Sequence, residues 1–442
     1  MTHLSVLEWD RVAVGEGGFS RRQADQLLAA ARSHPLGGAE GTNILIDHHR
    51  WLRSQQVVGI VAGEGCSLEI LPKIDQLGDA VSSEGRAGLR HRLVQMLDVA
   101  LGLEINLGRD AAMARQDETL LDILIRAFAD QLTNEVRRGL PRQYLRCEED
   151  LPTLRGRLDV TRQFTTLAVR PDRLACQFDI LSPDTALLQV MKACVVFLAR
   201  QARRAETVRR LAELRVALAD VADVHPHHLA WDKIAIDRSN RRWRSLLALA
   251  RLFLRRDWQA THRANDLRDL AGVTLLFPMN DLFEAYVAAL LRKALAPEGY
   301  EVVSQGGLRY CLNEIAPDGT LGRPLFRTKP DCMVRRNGRT VLVIDIKWKR
   351  LSAAGSDPKR GVSQADVYQL MAYARLYDSA RLMLLYPHHP DLEGEGALAR
   401  HRLNVAGADE RLTIASIDVA ADRLATMASL KALVLGEAMV PA

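Results

Sequence analysis

Lysine is scarce in this sequence of 442 residues, which contains nine Lys against 51 Arg. Four of the nine fall within one short region, at Lys329, Lys347, Lys349 and Lys359. The lysine ammonium is a compact, strongly hydrated point charge, and the arginine guanidinium does not replace it at every site. A protein that otherwise uses arginine therefore has a specific use for lysine in this region.

Cysteine is also sparse, and three further absences exclude classes of function. The six cysteines are scattered and form no Cys-x-x-Cys pair, which is typical of a reduced cytoplasmic protein and argues against a structural zinc site. The chain begins without a signal-peptide pattern, and no apolar run is long enough to span a membrane, so no membrane partner is expected. A Walker A sequence is absent, so any nucleotide hydrolysis must come from another chain.

Composition and length indicate an ordinary globular protein with more than one domain. Hydrophobic residues make up 48% and charged residues 26%, and the net charge of +6 permits a nucleic-acid partner without requiring one. The patterns predict an α/β protein with an α+β N-terminal part. We expect a small mixed unit over residues 1–80, a mostly helical middle region with short strands over 81–270, and a final domain over 271–442.

The final domain is organised around a predicted β-hairpin at residues 328–350. Its first strand ends near Arg335, Asn337-Gly338 forms the turn, and an apolar run from Val341 leads into the second strand. Because side chains alternate along a strand, Asp345 and Lys347 share a face, and Asp331 on the neighbouring strand can reach the same place.

Two carboxylates and a lysine at this position favour metal-dependent hydrolysis. Asp331 and Asp345 supply the hard oxygen ligands that Mg²⁺ prefers. A bound Mg²⁺ lowers the pKa of water and neutralises charge on a phosphodiester, and Lys347 can orient that water or stabilise the developing charge. A salt bridge at the end of a strand is the alternative interpretation of an isolated Asp-x-Lys.

The spacing of these residues resembles a known nuclease signature. Pro330-Asp331, thirteen intervening residues and Asp345-Ile346-Lys347 match the PD-(D/E)xK pattern. The phrases FPMNDLFE at 277–284 and QLMAY at 369–373 flank it, and with the phrases LEILPKI and LRGR nearer the N-terminus they make the chain resemble the McrC family, the nuclease subunits of McrBC 5-methylcytosine-dependent restriction systems.

The resemblance implies a fold and further site residues. It implies a restriction-endonuclease-like domain with a mixed central sheet flanked by helices in the order α-β-β-β-α-β, where we expect the first strand at 300–312. Glu284 would support the metal, although it is equally well explained as a surface residue. Gln369 and Tyr373 match the Q-x-x-x-Y element of RecB-like nucleases and would contact DNA together with Lys349, although packing against the sheet also explains them.

The resemblance also implies a function and a partner. The expected protein is a cytoplasmic, Mg²⁺-dependent DNA endonuclease subunit that cuts DNA containing modified cytosine and also stimulates a McrB-like AAA+ GTPase hexamer. Residues 1–270 would engage that hexamer. Two alternatives remain open at this stage: a free-standing RecB-like repair or defence nuclease, and a non-catalytic scaffold that activates a ring NTPase.

Overall fold

A computed structural model describes residues 2–38, 40–74, 83–105, 118–255, 274–352, 359–404 and 410–436. The chain divides into two compact units, one formed by residues 1–120 together with 259–442 and the other by residues 121–258. The first unit thus joins the beginning of the chain to its end. The division at residues 80 and 270 that the sequence suggested stays a prediction.

The N-terminal part of the first unit is a sheet with a helix packed on it. Its elements are β1 (Thr2–Leu7), β2 (Arg11–Ala13), α1 (Arg21–Ser33), β3 (Leu45–Asp47), β4 (Trp51–Ser54), β5 (Val57–Gly63), β6 (Cys66–Leu71) and α2 (Ser83–Leu101). Helix α1 begins at a capping box, in which Ser20 and Gln23 each accept a hydrogen bond from the other's backbone N–H. Leu27 of α1 lies in a core with Val61 and Leu68 of the sheet.

Two long-range pairings complete that sheet, whose strand order is β1-β6-β5-β10. Strand β1 runs parallel to β6, and β10 (Leu275–Pro278) pairs antiparallel with β5 from more than 200 residues away in the sequence. A smaller sheet has the order β2-β4-β3. Strand β10 leads directly into a helix that begins at Met279. The N-terminal and C-terminal parts of this unit therefore share one sheet.

The second unit contains helices and a small antiparallel sheet. Its elements are α3 (Leu120–Arg137, which begins at the unit's edge), β7 (Gln143–Leu151), β8 (Arg157–Leu158), α4 (Val160–Thr165), β9 (Leu174–Ser182), α5 (Ala186–Ala199), α6 (Ala205–Ala217) and α7 (Arg244–Leu254). Strand β9 lies between β7 and β8. The buried residues Leu124, Phe128 and Leu132 of α3 have the helical spacing of an amphipathic helix that packs one face into a core.

The remaining part of the first unit is a six-stranded mixed sheet flanked by helices. Its elements are α8 (Met279–Leu295), β11 (Glu301–Ser304), β12 (Tyr310–Ile315), β13 (Leu321–Arg327), β14 (Cys332–Arg336), β15 (Arg339–Ile346), α9 (Gln364–Tyr377), β16 (Arg381–Pro387), β17 (Gly396–Arg402), β18 (Arg411–Ile417) and α10 (Arg423–Gly436). The strand order is β11-β14-β15-β16-β18-β17. Strands β15, β16 and β18 run parallel and the outer ones antiparallel, which confirms the predicted mixed sheet and fold class.

The hairpin predicted from the sequence is present as β14 and β15. Asn337 and Gly338 both have positive φ, 51° and 78°, as a tight hairpin turn requires, and Arg336 pairs with Arg339 across it. Asn tolerates this conformation better than other residues with a Cβ, and Gly has no Cβ to clash. The turn chemistry therefore sets the register that carries Asp345 to the end of its strand.

The strand predicted over residues 300–312 is wrong in one respect, because two strands occupy that stretch. Strand β11 ends at Ser304, and the backbone then turns through positive φ at Gln305, Gly307 and Leu308. The chain resumes as β12, which pairs with β13 in a separate two-stranded sheet. Within the described ranges no helix is both long enough and apolar enough to cross a bilayer.

Candidate active site

Three elements converge at the carboxyl end of β15. Asp345 lies next to the last residue of that strand, Asp331 immediately precedes β14, and Glu284 lies on α8. The antiparallel pairing of Cys332 with Ile344 places the start of β14 beside the end of β15. The hairpin register thus brings together residues that are fourteen positions apart in the sequence.

Asp331 and Asp345 are held differently although they lie close together. The backbone N–H of Ile346 donates a 2.8 Å hydrogen bond to Oδ2 of Asp331. Asp345 is fully buried, and its Oδ1 has no hydrogen-bond partner within the described part of the chain. Burial raises the pKa of both carboxyls, and the proximity of Asp345 raises that of Asp331 further. A buried carboxylate with an unpaired oxygen is costly unless a cation joins it.

Lys347 lies two residues beyond Asp345, just after the end of β15, and its Nζ is 2.9 Å from Oδ2 of Asp345. Burial works against its charge, but the carboxylates of Asp345, Asp331 and Asp366 together outweigh burial and raise the pKa of the ammonium. Lys347 therefore stays charged at neutral pH. It can stabilise negative charge or orient water, but a protonated amine cannot act as a general base.

Glu284 faces the same acids from α8. Burial, together with the charges of Asp331 and Asp281, raises its pKa from the ordinary 4.5 to about 8. The side chain of Gln305 donates a 3.5 Å hydrogen bond to Oε2 of Glu284. Glu284 thus lies near Asp331 and Asp281, and a pKa of about 8 leaves it largely protonated at neutral pH.

Gln369 and Tyr373 lie on one face of α9, with Nε2 of Gln369 donating a 2.7 Å hydrogen bond to the Tyr373 hydroxyl. Tyr373 is only 4% exposed and packs in the core with Leu370 and Met333. Burial raises its pKa, and the charges of Asp345 and Asp331 add to the increase, so its hydroxyl lies near the acids. Tyr373 thus fills the sheet-packing role, and its hydroxyl end orients Gln369 beside the site.

Lys349 contacts an acid that the sequence reasoning missed. Its Nζ lies 3.3 Å from Oδ2 of Asp366, a buried residue in the first turn of α9. The charge of Asp366 also raises the pKa of Asp345 and of Lys347. An acidic residue after a Ser helix cap is a recognisable signal, but the sequence alone does not place it beside the strand end.

A second set of contacts anchors the loop that carries Lys347. The indole of Trp348 donates a 2.7 Å hydrogen bond to Oε1 of Glu8, which is buried. The amide of Gln56 donates to the Trp348 carbonyl at 3.1 Å, and Asn280 accepts from the Trp348 backbone N–H at 3.1 Å. Residues from the N-terminal sheet and from α8 therefore fix the backbone next to Lys347, and no local sequence pattern pointed to Glu8 or Gln56.

The acids fit a divalent cation that keeps water ligands. Among the described residues, no group of three or more His, Cys, Asp or Glu side chains forms a ready-made metal cage. Mg²⁺ does not need one, because it usually retains several waters and binds through one or two carboxylates plus substrate phosphate. The unpaired Oδ1 of buried Asp345, with Asp331 beside it, supplies that kind of site.

Solved structures with a similar fold come from McrBC assemblies. One is the refined half-complex from the tetradecameric assembly of Thermococcus gammatolerans McrB AAA+ hexamers with bound McrC, with a TM-score of 0.71, 19% identity, and coverage of 99% of this chain and 100% of that one. The cryo-EM structure of the Thermococcus gammatolerans McrBC complex gives a TM-score of 0.53 and 21% identity, covering 66% and 88%. No curated protein matches this sequence.

A family profile gives the sequence-level counterpart of this structural likeness. The profile described as "McrBC 5-methylcytosine restriction system component" matches residues 52–387, which include most of both compact units and, apart from Glu8, all the site residues named above. The resemblance expected from the sequence phrases is confirmed. The chain therefore belongs to the McrBC family of 5-methylcytosine restriction system components.

Proposed function

We propose that this protein is the McrC-type subunit of a modification-dependent restriction complex and that it cuts DNA by Mg²⁺-dependent phosphodiester hydrolysis. The observation that carries the proposal is the joining of Asp331, Asp345 and Lys347 at the end of β15, with Asp345 wholly buried and its Oδ1 unpaired. A structural salt bridge would need only the lysine and one acid. A buried acid beside a half-buried one is unfavourable unless positive charge beyond that of Lys347 joins them.

The residues divide the work between holding a cation and managing charge. Asp331 and Asp345 would hold Mg²⁺, with Glu284 supporting it from α8, and the cation would supply an activated water and neutralise phosphate charge. Lys347, whose pKa is raised, contributes a fixed positive charge that orients the attacking water and stabilises the negative charge developing on the phosphate. The backbone N–H of Ile346 fixes the orientation of Asp331. We assign contact with the DNA strand to Gln369 and Lys349.

The proposed partner is a McrB-like AAA+ GTPase hexamer. The chain has no Walker A sequence of its own. Solved structures of similar fold contain McrB AAA+ hexamers with bound McrC. We assign hexamer binding and GTPase stimulation to residues 1–270. The proposed substrate is DNA that carries modified cytosine, and the proposed location is the cytoplasm.

The test is cleavage of methylated and unmethylated plasmid in Mg²⁺, with this chain alone and with a McrB-like protein plus GTP. Asp345→Ala removes the buried ligand, and Glu301→Gln, an exposed acid at the start of β11, is the matched control. We expect methylation-dependent cutting only with the partner, abolished by Asp345→Ala and retained by Glu301→Gln.

Other outcomes select the alternatives. Cutting by the chain alone would make it a free-standing nuclease of the RecB-like kind. Stimulated GTP hydrolysis without cutting in any mixture would make the acid cluster structural and the protein a scaffold.

A further inference from the structure

The β12–β13 hairpin begins and ends beside the acid cluster formed by Glu284, Asp331 and Asp345. Just before β12, the backbone N–H of Gln305 donates to the Asp331 carbonyl at 3.0 Å, and the Gln305 side chain reaches Glu284 at 3.5 Å. Just after β13, the chain returns through Thr328 to Asp331 itself. Any polymer that reaches Asp331 therefore passes the base of this hairpin.

The base of the hairpin is fixed to the helix that carries Gln369. The hydroxyls of Thr328 and Tyr377 lie 2.8 Å apart, and the backbone N–H of Arg309 donates to the Tyr377 hydroxyl at 3.2 Å. The Tyr377 ring packs edge-on against Tyr373, with centroids 6.0 Å apart. The hairpin is therefore attached firmly at the end near the site and projects away from it.

Both faces of the hairpin carry exposed apolar side chains. In an antiparallel ladder, residues directly opposite each other share a face. Leu312 pairs with Leu325 on one face, and Ile315 pairs with Leu321 at the tip on the other face, because Leu312 and Ile315 are three residues apart along β12 and the register shifts between the two pairs. Leu312, Ile315 and Leu321 are 56%, 70% and 73% exposed, and nearby Tyr310 is 42% exposed. Contiguous exposed apolar surface of this kind marks an interaction site.

Arginines flank Leu325 on the first of these faces. Arg323 and Arg327 alternate with Leu325 along β13 and so point the same way, and Arg327 pairs with Tyr310. Both arginines are exposed, and neither forms an ion pair with any residue that the structure describes. From 309 to 329 the sequence has four basic and two acidic residues, and the carboxylate of Asp318 is already engaged by Thr320. The hairpin is thus apolar and cationic together.

We propose that the β12–β13 hairpin inserts into a groove of the duplex that occupies the nuclease centre, with its aliphatic tip against base edges and sugars and its arginines on the phosphates. A two-stranded ribbon fits a DNA groove, and apolar wedges combined with arginine are typical of proteins that deform the duplex. A second copy of this chain is a poorer occupant, because two-fold pairing would bring Arg323 and Arg327 toward their own counterparts without acids to match them. This inference rests on the proposed nuclease function.

The test measures binding of a short fluorescent duplex to the full chain by anisotropy, in Ca²⁺ to prevent cleavage, with and without the McrB-like partner. The tip variant is Ile315→Asn with Leu321→Asn, and the charge variant is Arg323→Gln with Arg327→Gln. The matched control is Arg215→Gln with Val216→Asn, an exposed Arg and an exposed Val of α6. We expect about a tenfold loss of affinity for the tip variant, and for the charge variant a loss accompanied by a salt-dependence slope smaller by about two.

Several readouts separate this proposal from the proposed function. Asp345→Asn should bind the duplex but not cut it in Mg²⁺, whereas the hairpin variants should still hydrolyse a small phosphodiester such as bis(p-nitrophenyl) phosphate. Hairpin-dependent binding without any cutting would reject the nuclease and leave the hairpin proposal standing. Three outcomes would each overturn the hairpin proposal. The hairpin variants could bind the duplex with the same affinity as wild type, or wild type could fail to bind the duplex. In the third outcome, the variants would differ from wild type only in how much of the protein sediments as a dimer.

Discussion

Replacement of Glu284 by Gln should change the number of protons that the protein releases when Mg²⁺ binds. A carboxyl must be deprotonated to support a cation, so a group that is protonated in the free protein releases its proton on binding. Glu284 is such a group, because burial and the charges of Asp331 and Asp281 raise its pKa to about 8. Gln has nearly the same shape and no proton to release.

The expected difference follows from that pKa. At pH 7 a group of pKa about 8 carries about 0.9 proton, and at pH 9 it carries about 0.1. Wild type should therefore release about 0.9 proton more per Mg²⁺ than Glu284→Gln at pH 7, and about 0.1 more at pH 9. Because the raised pKa keeps the acid protonated below about 8, the metal affinity of wild type should also rise with pH through that range.

Isothermal titration in buffers of different ionisation enthalpy measures the released protons directly. Glu301→Gln, which changes an exposed acid at the start of β11, is the control and should release the same number as wild type. A difference between wild type and Glu284→Gln that is near zero at pH 7 would refute the reasoning. It would mean that Glu284 stays protonated beside the bound cation and has no part in holding it.

Three further outcomes are expected. Lys347→Met should lower cleavage by a factor of about 10² or more while Mg²⁺ binding is kept, as measured by single-turnover kinetics and titration, because only charge stabilisation is lost. Burial raises the pKa of Glu8 from 4.5 to about 7, so the protein loses stability as pH rises through that interval. Glu8→Gln can still accept the hydrogen bond from Trp348. In denaturant titrations its free energy of unfolding should exceed that of wild type by about 2–3 kcal/mol at pH 8 and by little at pH 5. Arg90→Met leaves the fully buried Glu69 carboxylate without its two-point partner and should cost about 3–5 kcal/mol by denaturant titration, whereas Arg90→Met with Glu69→Leu should recover most of it.

Local features of the fold and site were predictable because their causes are local. The Asn337-Gly338 turn specifies a two-residue hairpin, and the alternation along β15 then places Asp345 and Lys347 on one side. The apolar residues of α3 likewise recur at the spacing that specifies an amphipathic helix. In each example the physical signal lies within a dozen residues, so the sequence contains the whole argument.

Long-range pairings were not predictable, because no local pattern encodes them. Strand β10 reads as a short apolar run, and only the folded chain pairs its Leu275 with Ile60 of β5. The same limit hid Glu8, which lies 340 residues from its partner Trp348. Strand β12 was hidden for a different reason, since the turn at Gln305 depends on positive φ at residues other than Gly, which sequence patterns predict poorly.

The pairing of β10 with β5 gives a physical route by which the proposed partner would control the proposed cleavage. Strand β10 ends where α8 begins, so its pairing with β5 sets the position of the helix that carries Glu284. Gln56, just before β5, donates hydrogen bonds both to the side chain of Asn280 on α8 and to the Trp348 carbonyl beside Lys347. The helix that carries Glu284 and the backbone beside Lys347 are thus both attached to one N-terminal sheet. Because packed elements shift as units, a partner that binds and displaces this sheet would move both groups together, and a hexamer engaging the N-terminal part could control hydrolysis without touching the acids.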